Sequence, residues 1–197
     1  MPPPLQIVRR SSFKRSPWKN GGGITHEAIR VPATGDPFLW RVSLAQIDSS
    51  GPFSDFAGYQ RKMVLLLGPG IELTHGNGQH RVLKNLGDCV EFAGAMPTHC
   101  ELLGGPCVDL NLMVAEQLRF TARVERPVDG LIATADGETT LIFGIESPMS
   151  LADDAGETVR LEPWDLAVLS QGSARFDNMR PDGRSVPGAV FIASITQ

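Results

Sequence analysis

Ten residues near the start of the chain, Trp18-Lys19-Asn20-Gly21-Gly22-Gly23-Ile24-Thr25-His26-Glu27, gather an aromatic ring, a cation, an amide, three glycines, a hydroxyl and a carboxylate. Consecutive glycines add nothing to a core, so a chain keeps them where the backbone needs φ > 0 or close approach. Two readings of Gly21, Gly22 and Gly23 follow. Successive N–H groups can converge on one point and form a nest for a carboxylate or phosphate; alternatively the glycines serve a tight chain crossing. Lys19 adds positive charge, Asn20 adds an amide, and on an extended segment Thr25 and Glu27 share a face where they can read an amide or amino group. Farther on, Arg61 can clamp a carboxylate through two parallel hydrogen bonds. Trp18, Phe53 and Tyr59 can supply the apolar walls that small-molecule pockets need. Structural roles compete: Trp18 as core, Glu27 as an ion-pair partner of Arg41 or Arg61, and Gly51-Pro52-Phe53-Ser54 as a turn with a packed ring.

Other chemistries are poorly supported. The four histidines are His26, His75, His80 and His99. His75 and His80 would face opposite sides of one strand, and Gly76-Asn77-Gly78 between them signals a hairpin tip. That spacing does not make a metal set, so no metal and no other cofactor is expected. There is no nucleophile elbow, Walker loop or HExxH run, and the triple glycine lacks the G-x-G-x-x-G spacing of a dinucleotide site. Cys89, Cys100 and Cys107 form no CxxC pair and read as free thiols of a reducing compartment. A net charge of −4 argues against nucleic acid as a partner. No apolar stretch reaches the ~20 residues of a membrane span, and Met1-Pro2-Pro3-Pro4 leads into no apolar signal region. A cytoplasmic protein away from membranes is the expectation.

The elements that must carry these groups read as strands. Glycine (21 residues) and proline (15 residues) punctuate short apolar runs at even spacing, which is the pattern of an all-β sandwich or barrel. Candidate strands are 38–45, 62–67, 108–114, 119–124, 139–144, 159–161, 165–169 and 189–195. In 108–114 the alternation puts Val108, Leu110, Leu112 and Val114 on one face, with Asp109, Asn111 and Met113 on the other. Asn111 is thus a candidate polar group inside a barrel. No helical stripe is sustained, so helices should be few and short.

A faint repeat lays 82–92 on 159–169, with Asp88 on Asp165. Each copy is a strand, a turn ending in Asp, and a second apolar strand. Gly87-Asp88 followed by Phe92-Ala93-Gly94-Ala95-Met96-Pro97-Thr98-His99 resembles the second signature of the cupin fold, a double-sheet jelly roll. The second copy, Pro163-Trp164-Asp165, keeps the Asp but no following His. These observations predict an all-β bicupin of two fused double-stranded β-helix lobes. Residues 1–115 would form the first lobe, carrying the glycine run. Residues 116–197 would form a second lobe packed closely on it, with exchange of strands allowed.

Trp18-Lys19-Asn20-Gly21-Gly22-Gly23-x-Thr25-x-Glu27 resembles the hallmark of the HutD/Ves family. The likeness continues in Trp40-Arg41-Val42-Ser43-Leu44-Ala45-x-Ile47, in Gly51-Pro52-Phe53-Ser54-x-Phe56-x-Gly58-Tyr59-x-Arg61, in Phe92-Ala93-Gly94 and in Asp109-Leu110-Asn111-Leu112-Met113. This chain departs from the family at Ala95 and at Val114-Ala115-Glu116. The resemblance implies a bicupin loosely associated with histidine utilisation, where members are suggested to bind an intermediate such as formylglutamate and limit flux. It supplies no enzymatic reaction.

The function expected is therefore binding of a small anionic, amino-acid-derived metabolite, in a regulatory or flux-limiting role. The ligand set would be Trp18, Lys19, Asn20, Gly21, Gly22, Gly23, Thr25, Glu27, Tyr59, Arg61 and Asn111. Alternatives are a metal-independent cupin isomerase or hydrolase with Glu27 or His99 as general base, and a protein-interaction module. A homodimer through sheet edges is compatible with the fold.

Overall fold

The computed structural model describes residues 5–127, 130–135, 139–177 and 188–196. Apart from one 3-10 turn at Arg10–Ser12, the regular elements are strands. In chain order they are β1 (Leu5–Val8), β2 (Lys14–Pro17), β3 (Gly23–Val31), β4 (Trp40–Ile47), β5 (Gly51–Pro52), β6 (Tyr59–Leu67), β7 (Ile71–His75), β8 (His80–Leu83), β9 (Cys89–Ala93) and β10 (Thr98–Leu102). They continue with β11 (Cys107–Ala115), β12 (Arg119–Glu125), β13 (Ile132–Thr134), β14 (Thr139–Gly144), β15 (Met149–Asp153), β16 (Thr158–Leu161), β17 (Leu166–Leu169), β18 (Ser173–Asp177) and β19 (Val190–Thr196).

The chain divides into two compact units, Phe13–Gln117 and Leu118–Gln197 with Met1–Ser12. Residue 1 was expected to open the first lobe. Instead β1 belongs to the second unit, because its four residues pair antiparallel with β17 at the edge of that unit's sheet.

In Phe13–Gln117 the sheet order is β2-β3-β4-β11-β6-β9, with a second sheet β5-β10-β7-β8. In the other unit the sheets are β1-β17-β14-β19-β12 and β13-β18-β15-β16. The same pairings recur: β6 with β9 and β11, β7 with β8 and β10, β4 with β11 and β5 with β10 are matched by β14 with β17 and β19, β15 with β16 and β18, β12 with β19 and β13 with β18. Each unit is one double-stranded β-helix, so the chain is a bicupin. Asp88 and Asp165 occupy corresponding turns, before β9 and β17. Asp88 Oδ2 accepts the backbone N–H groups of Lys84 and Asn85, and Asp165 Oδ2 accepts that of Glu162.

Strand register then decides which side chains share a barrel interior. β11 lies between β4 and β6, with Asn111 opposite Ser43 and Met63, and Met113 opposite Arg41 and Arg61. On the far side of β4, Thr25 pairs with Ala45 and Glu27 with Ser43. Lys14 and Ser16 of β2 extend those rows by pairing with Glu27 and Thr25. Because side chains alternate across a strand, Lys14, Glu27, Ser43 and Asn111 form one row on one face. Leu110, Leu112 and Val114 are buried on the opposite face. A cluster including Ile47, Met63, Leu65, Ile71, Leu73, Phe92 and Cys100 closes part of the barrel.

Candidate functional site

The face assembled by β2, β3, β4, β6 and β11 opens into a cavity of about 770 Å³. Its walls include Lys14, Trp18, Lys19, Asn20, Thr25, Glu27, Arg41, Ser43, Phe53, Phe56, Arg61, Asp109, Asn111 and Met113. The structure thus brings Trp18, Lys19, Asn20, Thr25, Glu27, Arg61 and Asn111 to one place, although residues 18 and 111 lie far apart in sequence.

Arg61 is the buried cation of the cavity wall. It is buried at 5% exposure, and its guanidinium carbon lies 4.9 Å from the centre of the Phe92 ring, 5.2 Å from Phe53 and 5.7 Å from Phe56. Aromatic faces attract a cation at such distances, but they leave its N–H groups free for other acceptors. Arg61 Nη2 donates to Asn111 Oδ1 at 2.9 Å, while Nε has no partner among the described residues. Burial pulls the guanidinium down to about 10, against the nearby Asp109 carboxylate, which supports the charge. It remains protonated at neutral pH.

The relay continues through Asn111, whose Nδ2 donates to Asp109 Oδ1. Asp109 is fully buried and its Oδ2 has no partner among the described residues. Desolvation pushes this carboxyl up to about 7, with Arg61 holding it back. Arg41, half-buried, donates from Nη2 to Met113 Sδ at 3.3 Å and lies 5.2 Å from the rings of Phe38 and Phe56. Its Nε is buried without a partner among the described residues. Burial lowers its pKa, and the Glu27 charge opposes that shift. Glu27 makes no ion pair among the described residues, so the structural bridge to Arg41 or Arg61 is not formed. Trp18 holds Thr25 in place, its Nε1–H donating to Thr25 Oγ1 at 2.8 Å.

The glycine nest is not formed. Gly21 N–H donates to Trp18 O at 3.0 Å and Gly22 N–H to Asn20 Oδ1 at 3.0 Å, so those amides close their own turn. Gly21 supplies the positive φ of 72° that the turn requires. At Gly23 a Cβ would press on the Gln46 carbonyl and lie 3.1 Å from the Trp18 ring. The run is a close chain crossing that delivers its neighbours to the cavity. Tyr59 also stands apart from the cavity wall. Its hydroxyl accepts from the Phe38 N–H at 3.1 Å and donates to the Phe38 carbonyl at 3.0 Å, with the two rings stacked.

His99 sits on β10 with its side chain about half exposed, 3.7 Å from Glu101, and takes no part in the cavity. Of the two candidate bases, Glu27 or His99, Glu27 lines the cavity and His99 does not. His75 is buried against Thr98 Oγ1 at 2.9 Å, and His80 meets Glu72 at 3.2 Å. Among the described residues, no three His, Cys, Asp or Glu side chains gather where they could hold a metal. None of the helical residues described forms a helix long and apolar enough to cross a membrane.

The ligand set expected from sequence leaves out Lys14, Arg41, Ser43, Phe56 and Asp109, which also line the cavity. The signal for Asp109 was present, since it shares a strand face with Asn111; Arg41 and Lys14 enter only through strand pairing.

Known proteins agree with this architecture. A Pseudomonas putida protein named as an uncharacterized 21.2 kDa protein in the hutC 3′ region is 37% identical over 182 residues, covering 91% of this chain and 94% of its own. The crystal structure of a conserved Pseudomonas aeruginosa protein of unknown function superposes with a TM-score of 0.86 at 30% identity, over 98% of this chain and 99% of that one. HutD from Pseudomonas fluorescens superposes with a TM-score of 0.77 at 33% identity, over 98% of both chains. An oxalate decarboxylase variant from Bacillus subtilis, 8% identical with a TM-score of 0.63 over 96% of this chain and 76% of its own, shares the fold alone. The HutD family model matches residues 10–184. With that match spanning both lobes, the chain belongs to the HutD family.

Proposed function

We propose that the Phe13–Gln117 lobe binds a small carboxylate derived from an amino acid, and that the protein acts through this binding on histidine utilisation as a regulator or flux limiter. The observation that carries the reading is Arg61: a buried cation facing a cavity which, among the described residues, has a bonding group unpartnered and no ion pair of its own. Leaving such a group unpaired costs free energy, and a ligand carboxylate would recover it with charge-assisted hydrogen bonds. The lining charges agree, with Lys14, Lys19, Arg41 and Arg61 against Glu27 and Asp109. The metabolic setting is supported by the family and by the relative named for its place beside hutC. A cytoplasmic location fits that setting.

Titration calorimetry with N-formyl-L-glutamate and glutarate tests the reading. Saturable binding of either supports it, and the melting temperature should rise with ligand concentration, since only the folded state carries the cavity. Absence of heat and of any thermal shift with both compounds would overturn it.

A further inference from the structure

Among the described residues Asp109 is the one buried carboxylate on the cavity wall, and its surroundings do not suit a permanent charge. It is fully buried, one oxygen takes only the Asn111 amide, and the other has no donor among the described residues. Arg61 supports it only across the intervening Asn111 side chain, since no ion pair joins the two. The remaining charged groups around the cavity are Lys14 on β2, Lys19 in the glycine turn, Glu27 on β3 and Arg41 on β4. The thiols of Cys100 on β10 and Cys107 on β11 also feel the Asp109 charge, but burial pushes them up and keeps them neutral.

An anion seated on Arg61 would bring a second negative charge to a site with one deeply buried cation. Two carboxylates sharing such a place do not both stay ionised without a large penalty. The ligand would lie against the guanidinium, whereas Asp109 is held off by Asn111. Asp109 is therefore the group that takes the proton. We propose that the cavity binds its anion together with one proton from solvent, held by Asp109, so that Asp109 acts as a positioning residue setting the charge the site accepts. This rests on the carboxylate-binding reading above. Burial already holds this carboxyl near neutrality, at about 7, so an added negative charge need shift it only modestly.

Calorimetry of N-formyl-L-glutamate and glutarate at pH 8, in two buffers of different ionisation enthalpy, measures the proton directly, because both ligands are already ionised there. The wild-type protein should take up about half a proton or more per ligand, and its affinity should weaken by up to about tenfold per pH unit above neutrality. Asp109→Asn, which keeps the shape without the charge, should bind at pH 8 as the wild type does near pH 6, with no uptake. That result also separates Asp109 from any histidine contribution. Wild-type binding without proton uptake and without a pH slope overturns this inference and leaves the carboxylate site standing. Absence of binding by either compound overturns both.

Discussion

The two lobes repeat one set of strand pairings around opposite interiors. β11 turns Asp109, Asn111 and Met113 toward its cavity, while β19, its counterpart, puts Val190 and Ile192 into a core with Leu151, Leu161 and Phe176. β6 contributes Arg61, whereas β14 contributes Ile142. Of the buried polar residues described in the cavity lobe, Ser43, Arg61, Asp109 and Asn111 line the cavity, while His75 and Thr98 bond each other at 2.9 Å, away from it. The other lobe buries Thr140, bonded to the Thr134 carbonyl at 2.7 Å, and the turn residue Asp165. The jelly roll therefore closes without a polar interior, and burying one costs stability. The polar set in one lobe is best accounted for by what it binds.

The comparison breaks if the apolar lobe tolerates charge. Ile192→Asp places an unpaired carboxylate where exposure is 2%. It should lose more than about 4 kcal/mol in urea unfolding, the scale of an uncompensated buried charge. A loss under about 1 kcal/mol would mean that this lobe also holds a wet interior. Next in size is Arg61→Met in the cavity lobe. Removing one partner of a desolvated charge pair costs about 2–4 kcal/mol of binding, or roughly 30- to 1000-fold in affinity for N-formyl-L-glutamate. The urea midpoint should change little or fall slightly, since relief of a buried cation is offset by the donor lost to Asn111 Oδ1 and the charge lost from beside Asp109. Weakened folding with unchanged affinity would assign Arg61 to the scaffold.

A third test concerns β2 and β3, which extend the cavity lobe's sheet beyond β4 and, among the described residues, have no counterpart beyond β12. Gly23→Ala forces a Cβ against the Gln46 backbone and the Trp18 ring. It should cost about 1–3 kcal/mol, as overpacking does. Gly21→Ala meets open space and strains only the positive φ, so it should cost less, about 1 kcal/mol. Equal losses in chemical denaturation would contradict the chain-crossing role.

These cases show where sequence was informative. The period-two alternation around Asn111 is a local property, so the inward face of β11 was legible, as was the repeat of Asp turns. The glycine run admits both a nest and a chain crossing in sequence, and the choice between them falls to the turn, where Trp18 O and the Asn20 side chain take the Gly21 and Gly22 N–H groups. Tyr59 was misread because its partner Phe38 is brought to it by tertiary packing. Lys14 and Arg41 needed the order of strands in the sheet, which long-range pairing decides. The placement of β1 against β17 is of the same kind.

The smallest difference lies between the paired Asp turns. Asp88 serves its own loop: Lys84 N–H at 2.9 Å, Asn85 N–H at 2.8 Å and Asn85 Nδ2 at 3.2 Å. Those hydrogen bonds hold its pKa below the ordinary carboxylate value. Asp165 does the same for Glu162 and also reaches the N-terminal segment, accepting from Arg10 N–H at 2.8 Å and Arg9 Nη1 at 2.7 Å. Arg10 in turn lies 4.3 Å from the ring of Trp164, a residue at φ 70°. Asp88→Ala loses one turn clamp and should cost about 1 kcal/mol. Asp165→Ala strands the same kind of donor and frees β1 at the sheet edge, so it should cost about 2 kcal/mol. Limited trypsin digestion separates the two roles: cleavage after Arg9 or Arg10 should quicken in Asp165→Ala and stay at the wild-type rate in Asp88→Ala. Equal rates would mean that the β1–β17 ladder alone holds the segment, and that the Asp turn serves both lobes in the same local way.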